Sequence, residues 1–350
     1  MSAESLAGLA RHLPGWLASP GAHDGIVIAS RVRLARNLAG TAFRRTLPRP
    51  GQLELVARIL AAAAAACPWP EALHLTVHRL GAVNRTLLSE RQLCSRELID
   101  GKHPAALHAS RDGRMAIMGN EEDHVRVQAI MPGLDLAGAL AQARACEQAL
   151  GRELPWAFAD RLGYLTACHT NVGTGMRASV MLHLPALAET GELKGVLHGA
   201  AKLHLAVRGR HGEGSEPTGH VYQISNLRSL GRDEAAISAQ VADAAERIVA
   251  AEREARTALL AERLRLEDRV LRAHAVLATA RILGSDEAHE QLGWLRLGVA
   301  TGLLPGIGWP LCDRLGLHVQ PGHLQAMHKD AAEPAQRDRL RARLVRDSLA

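Results

Sequence analysis

Apolar and polar positions along this chain follow two different periods, and the change between them comes late. Strand-like stretches, most of them alternating apolar with polar residues, occur at "IVIAS" (26–30), "LHLTVHRL" (73–80), "RMAIMGN" (114–120), "HVRVQAI" (124–130), "MRASVMLHL" (176–184), "KLHLAVRG" (202–209) and "HVYQISN" (220–226). The two strands on either side of "NEED" (120–123) make a hairpin-like unit. "GQLELVARILAAAAAAC" (51–67) and "LDLAGALAQARACEQAL" (134–150) read as helices, the first closing on a run of alanine, the best helix former. A short helical lead-in over 3–18 ends at "SPGAHDG". From Arg232 to about Leu283 the period becomes helical: Ile237, Val241, Ala244 and Ile248 share one face, and Asp233 and Glu234 suit the positive end of the helix. A further helix, a glycine/proline break and a charged helical tail follow, with no internal repeat. The pattern predicts an α+β fold, a mostly antiparallel sheet flanked by helices. Its expected divisions are a lead-in over 1–23, a catalytic domain over 24–255 and a helical module over 256–350.

Composition adds the kind of core and the class of partner. The 350 residues are 47% hydrophobic but only 3% aromatic, so the core must be built from Leu, Val, Ile and Ala. The formal charge is +6, and only four of the 42 cations are lysine (Lys102, Lys194, Lys202, Lys329), leaving 38 arginines. Such a bias suits either an arginine-rich surface or guanidinium clamps for phosphate. No basic block interleaved with aromatics, zinc-finger spacing or RNA-recognition signature is present, which argues against nucleic acid. Five cysteines (Cys67, Cys94, Cys146, Cys168, Cys312) form no CxxC pair, which argues against a disulfide framework or structural zinc and for a reducing compartment. The N-terminus lacks a basic region followed by an apolar one, and no uncharged apolar run approaches the roughly 18 residues of a membrane span. A soluble, cytoplasmic protein without membrane contact is expected.

The candidate chemistry gathers at predicted strand ends, in "SRVRLARN" (30–37), "NEEDHVR" (120–126), "CHTNVGTGMRASVM" (168–181) and "RGRHGEGSE" (208–216). Neither a Walker A motif nor a GxGxxG turn is present, so any nucleotide phosphates need other neutralisation. Arg31 and Arg33 share one strand face, and Arg126, Arg177 and Arg208 each lie in or beside another strand. Five such arginines on one face would match a triphosphate and its transferring group. Glu122 and Glu213 could together bind a planar guanidinium and take a proton from it; that group stays protonated below a pKa of about 12. Taken alone, "NEED" is equally a polar turn. Cys168 is either a buried structural thiol or a thiolate assisted by Thr170 and nearby arginines.

These four ordered motifs, with "DRLGYLTACHTNVGTGMRASVMLHLPAL" and "GHVYQISNL", resemble the ATP:guanido phosphotransferases, the family of creatine and arginine kinases. Within it the chain is most similar to the bacterial branch that phosphorylates arginine in proteins, over roughly 24–345. The resemblance implies that Arg31, Arg33, Arg126, Arg177 and Arg208 clamp the ATP phosphates. It implies a nucleotide site lined by Ala29, Ser30, Arg31, Val32 and Arg33, by Arg177, Ala178, Ser179, Val180 and Met181, and by Arg208, Gly209, Arg210, His211, Gly212 and Glu213. Glu122 would be the catalytic base, Glu213 would help hold the guanidinium, and Cys168 would lie beside it. Mg2+ would bridge the phosphates mainly through water, with no protein metal ligand.

A protein acceptor is favoured because only 29 residues precede Ser30, where the small-molecule kinases of the family carry a helical domain. "RDRLRA" (337–342) also fits RDxxRA, which in that branch forms an allosteric phosphoarginine pocket, here Arg337, Asp338 and Arg341; an ordinary charged helix face fits the same letters. Implied partners are proteins with exposed arginines, an activator protein, Clp protease machinery and a second copy of the chain. A small-molecule guanidino kinase and a phosphoarginine-binding adaptor are the alternatives. Three positions depart from the family pattern: Ala29 for serine, Glu97 in "LCSRELID" for histidine, and His169 for proline.

Overall fold

A computed structural model describes residues 6, 8–209, 218–328 and 330–350. Its strands are β1 (Val27–Arg36), β2 (Leu73–Thr76), β3 (Ala106–Ala109), β4 (Met115–Gly119), β5 (Val125–Pro132), β6 (Phe158–Ala159), β7 (Gly163–Tyr164), β8 (Met176–His183), β9 (Leu205–Gly209) and β10 (Val221–Asn226). Eight of them form one sheet in the order β2-β3-β4-β5-β1-β8-β10-β9, with every neighbouring pair antiparallel. β6 and β7 form a small separate hairpin. The expected α+β architecture is the one observed.

Register explains why the sheet has two unlike faces. Val32 lies opposite Ala129 and Ala178, and Leu34 opposite Val127 and Met176. Directly opposed residues point the same way, so this set makes one apolar face. It packs with Leu55, Ile59, Leu140, Ala143, Val241 and Ile248 of the helices Arg49–Ala66, Leu136–Gly151 and Glu234–Ala261. Arg33 lies opposite Gln128 and Arg177, and Gln223 opposite Arg208, so the other face is polar.

Several elements differ from the pattern-based expectation. β1 runs on through the "SRVRLAR" stretch because strands pair with it on both sides. The strand over 73–80 stops at Thr76 and becomes a 3-10 turn, Val77–Arg79, since its partner β3 has only four residues. The lead-in helix is interrupted before Gly15–Ala18 by Pro14, whose extended backbone ends the helical path. The long helix over 232–283 breaks at Glu262 into Glu234–Ala261 and Arg263–Thr279. The break redirects the chain from the sheet's core to a second one built on Leu266, Val270, Leu277, Trp294, Leu315 and Val345.

The helical region grips the sheet domain through a buried carboxylate. Glu90, at the end of the helix Ala82–Glu90, accepts hydrogen bonds from the Gly322 and His323 backbone N–H groups at 2.7 and 2.9 Å. His323 Nδ1 lies 2.8 Å from the same carboxylate, at the start of the helix Pro321–Met327. Glu90→Ala would strand these buried donors, and is expected to lower stability by about 2–4 kcal/mol in chemical denaturation.

Candidate active site

The polar face of the sheet floors a cleft of about 460 Å³. Arg31 and Arg33 of β1, Arg126 of β5, Arg177 of β8 and Arg208 of β9 all line it, with Glu121, Glu122 and Cys168. Arg31 donates to Gln92 Oε1 at 2.9 Å and to Gln223 Oε1 at 3.0 Å, which fixes its guanidinium between two strands and a loop. Burial, with repulsion from Arg126 and Arg177, pulls its pKa down to about 10. Arg33 is pushed well below the usual range by burial and by Arg31, Arg126 and Arg177. For Arg126 burial also pulls downward, but Glu121, Asp123, Glu122 and Glu97 outweigh it and the pKa rises. The cleft therefore has an end where cations and acids balance and an end where cations stand in excess. An excess of buried cations is an arrangement that can hold a polyanion.

The acidic stretch is a buried loop. Asn120 turns the chain with a φ of 58°, and its side chain donates to Pro104 O at 2.6 Å. Glu121 is 1% exposed, pairs with Arg126 and accepts from Ser95 Oγ. Asp123 Oδ1 accepts from Asn37 Nδ2 and from the Ala167 backbone N–H, each at 2.7 Å. That carboxylate ties the end of β1 to the chain entering Cys168. Of the three acids only Glu122 is half-buried rather than buried, with its side chain 24% exposed and 3.5 Å from Arg126 Nη2. Burial raises its pKa against the opposing pull of Arg126, with Asp123, Glu97 and Glu121 adding to the rise. Cys168 Sγ lies 3.0 Å from Thr170 Oγ1.

The other anticipated residues divide. Ala29, Ser179 and Met181 line a small recess beside the cleft with Trp16, Gln92 and Gln223. Val32, Ala178 and Val180 point into the apolar core, and Ser30 Oγ instead donates to Gly133 O at 2.9 Å. Gly209 is buried opposite Tyr222. Arg210, His211, Gly212 and Glu213 lie outside the described residues, and with them the second carboxylate of the expected pair. Far from the cleft, Arg341 is buried and donates to Val319 O (2.8 Å), Leu283 O (2.7 Å) and Asp338 Oδ1 (2.6 Å). Arg337 donates to Ala331 O and Ala332 O. Glu97 sits at the cleft rim, paired with Arg44 at 2.9 Å, and His169 is exposed.

Comparison with known proteins matches this geometry to a family. Residues 69–255 match the family model described as ATP:guanido phosphotransferase, C-terminal catalytic domain. Residues 263–350 match the protein-arginine kinase McsB C-terminal domain. The chain belongs to the ATP:guanido phosphotransferase family. It is 40% identical over 344 residues to a protein-arginine kinase of Symbiobacterium thermophilum, covering 95% of this chain and 96% of that one. It is 41% identical over 339 residues to a protein-arginine kinase of Moorella thermoacetica, covering 96% and 97%. The duplicated taurocyamine kinase of Schistosoma mansoni, solved with transition-state-analogue components, is 28% identical with a TM-score of 0.57. That match covers 65% of this chain and 33% of that one. A lombricine kinase structure, 22% identical with a TM-score of 0.59 over 70% of each chain, shares the fold. As a guanido phosphotransferase, the chain uses ATP with a divalent ion.

Among the residues that the motif reading missed at the cleft and the recess beside it, four are instructive. Gln223 was legible in principle, because alternation in "VYQISN" puts it on the face of Arg208. Glu121 stood in plain view beside Glu122, with nothing local to say which of the two is buried against Arg126. Gln92 and Ser95 lie in a loop whose path only the fold defines. The charge asymmetry of this guanido phosphotransferase cleft gives a contrast. Arg126→Met leaves Glu121 buried without its cation and should lower stability by about 3–5 kcal/mol. Arg33→Met removes a repelled cation and should preserve stability or raise it by up to about 1 kcal/mol, while weakening ATP binding. Denaturation curves and calorimetric ATP titrations of the two variants check both statements.

Proposed function

We propose that this chain is an ATP-dependent protein-arginine kinase, transferring the γ-phosphoryl group of ATP to arginine side chains of proteins. One observation carries the acceptor class: about 40% identity, along nearly the whole length of both chains, to proteins named protein-arginine kinase. The match of the helical region to the McsB C-terminal domain accords with it.

The cleft suits this chemistry residue by residue. In this reading Arg31, Arg33, Arg126, Arg177 and Arg208 neutralise the phosphates and stay in place as charge moves during transfer. A guanidinium must lose a proton to become a nucleophile. Glu122 accepts that proton as the N–P bond forms, and the bond from phosphorus to the bridging oxygen breaks with its electron pair leaving on ADP. The raised proton affinity of Glu122 favours the transfer. Glu213 completes the grip on the acceptor, and Cys168 lies beside it. A divalent ion, Mg2+ in this reading, neutralises phosphate charge when bound. In this reading phosphate oxygens and water are its main ligands.

The reading extends to a catalytic domain over 24–255 and a regulatory helical module over 256–350, in which Arg337, Asp338 and Arg341 answer to phosphoarginine. It includes a homodimer, an activator protein and Clp protease machinery as partners, and a cytoplasmic location. Five free cysteines suit a reducing compartment, and no described helix is long and apolar enough to cross a membrane.

Incubation with ATP and an arginine-containing protein should yield acid-labile phosphate on arginine. Phosphorylation of free arginine alone would replace this reading with a small-molecule kinase. Glu122→Gln should lower kcat by about 10²–10⁴-fold. Because Glu122 must be unprotonated to act and its pKa is raised, the acid limb of kcat/KM should fall at a higher pH than an ordinary glutamate gives. A pH–rate profile reads this directly.

A further inference from the structure

The alanine run 61–66 ends on a cysteine, and the helix it closes packs against another that is rich in alanine. Ala62 and Ala63 of the helix Arg49–Ala66 and Ala139 and Ala143 of the helix Leu136–Gly151 are buried in the same core. Small side chains at a helix contact let the two backbones approach closely. Cys67, the residue that ends the first helix, thereby meets Cys146 of the second, Sγ to Sγ at 3.3 Å, although the two stand 79 positions apart in the chain.

The pair is buried but shallow. Cys67 is 5% and Cys146 6% exposed, while their chain neighbours Pro68 and Ala145 are exposed. Both thiols are presented from fixed backbone. Cys67 N–H donates to Ala63 O at 2.9 Å, and Cys67 O accepts from the Trp69 N–H at 2.8 Å and lies 2.9 Å from His108 Nε2. Cys146 sits inside its helix, next to Glu147, the partner of Arg36. Disulfide sulfurs stand about 2.05 Å apart, so the two thiols need a further approach of only ~1.2 Å.

We infer that Cys67 and Cys146 form a redox site, separate from the cleft thiol Cys168, at which a hydroperoxide converts the two thiols into an intramolecular disulfide. With hydrogen peroxide, Cys67 Sγ attacks one oxygen, the O–O bond breaks, and the departing hydroxide takes the thiol proton as water. Cys67 is left as a sulfenic acid. Cys146 Sγ then attacks that sulfur, the S–O bond breaks, and the hydroxyl leaves with the second thiol proton as another water. The two thiols lose two electrons and the peroxide gains them. The thiols are unequal in the sense this order needs. The hydrogen bond from Cys146 lowers the Cys67 thiol against the opposing pull of burial, and the same bond, with burial, raises Cys146.

The link would join two helices that support the cleft from the apolar side of the sheet. Gln52 of the first accepts from Asn120 Nδ2 at 3.2 Å, and Glu147 of the second accepts from Arg36 Nε at 2.9 Å. Closing so long a loop restricts the unfolded chain more than the folded one, so the oxidised form should be the more stable.

The test treats the full chain with hydrogen peroxide, quenches it in denaturant with N-ethylmaleimide, and digests it without reductant for mass spectrometry. Peptides containing Cys67 and Cys146 should appear joined, two hydrogens lighter than their sum, and should separate with dithiothreitol. The thermal midpoint of the oxidised chain should rise by about 5 °C and return on reduction. Cys67→Ala should abolish the link, and Cys146→Ala should leave Cys67 as a sulfenic acid that a cyclic 1,3-dione traps. Recovery of both Cys67 and Cys146 as maleimide adducts while Cys168 is oxidised would overturn the site. So would either residue joined instead to a different cysteine, or a link that forms only once the chain is unfolded.

Discussion

Guanidinium groups brought together on one face of a sheet repel one another, and nearly everything else in this molecule is arranged around that repulsion. Arg31, Arg33, Arg126, Arg177 and Arg208 share one cleft floor, where burial also deprives Arg31, Arg33 and Arg126 of water. The cluster destabilises the empty protein and becomes favourable only when a polyanion arrives. Stability has to come from elsewhere, and it comes from the opposite face of the same strands. Period-two alternation sends Val32, Leu34, Val127, Ala178 and Val180 into the largest apolar core. The sheet thus separates a stabilising face from a functional one by the thickness of a single backbone.

Within the cleft, the acids decide which arginine is held and which is left in excess. Glu121 and Glu122 offset Arg126, while Arg31 is positioned by neutral acceptors, Gln92 and Gln223, that orient it without cancelling its charge. Asp123 takes no part in that balance through direct pairing with a cation. It accepts from Asn37 and Ala167, and so ties the hairpin carrying Glu122 to the chain entering Cys168. Arg36, one strand pairing beyond the cleft arginines, is spent on structure, bonding Glu147 at 2.9 Å and Thr174 O at 2.9 Å.

The helical region uses the same economy of charge. Arg341 binds two other stretches through Val319 O and Leu283 O, besides Asp338 of its own helix, and Val319 leads directly into the helix whose start Glu90 caps. Glu90 closes the helix Ala82–Glu90, and two residues on Gln92 holds Arg31. Hydrogen bonds and short stretches of chain therefore link the charged terminal helix to the cleft floor.

Much of this was legible in the letters. Alternation located β1, β4, β5, β8 and β10, and the spacing of Arg31 and Arg33 placed them on one face, because side-chain direction in a strand depends only on parity. The order of the four motifs was enough to indicate the family. What local pattern could not settle were the short or context-dependent elements. β3 has only four residues, and the helix over 232–283 breaks at Glu262, where one core gives way to another. Local pattern could not rank the acids of the motif either, and Glu122 was named as the base through the family resemblance alone. "NEED" presents Glu121, Glu122 and Asp123 as near equals, and only the fold buries Glu121 against Arg126, turns Asp123 toward Asn37 and leaves Glu122 at the cleft. The sequence by itself determined which residues share a face, because that follows from backbone period. Which of them share a site was decided by tertiary structure, because partners such as Arg126, Gln223 and Cys168 meet only when distant strands are laid side by side.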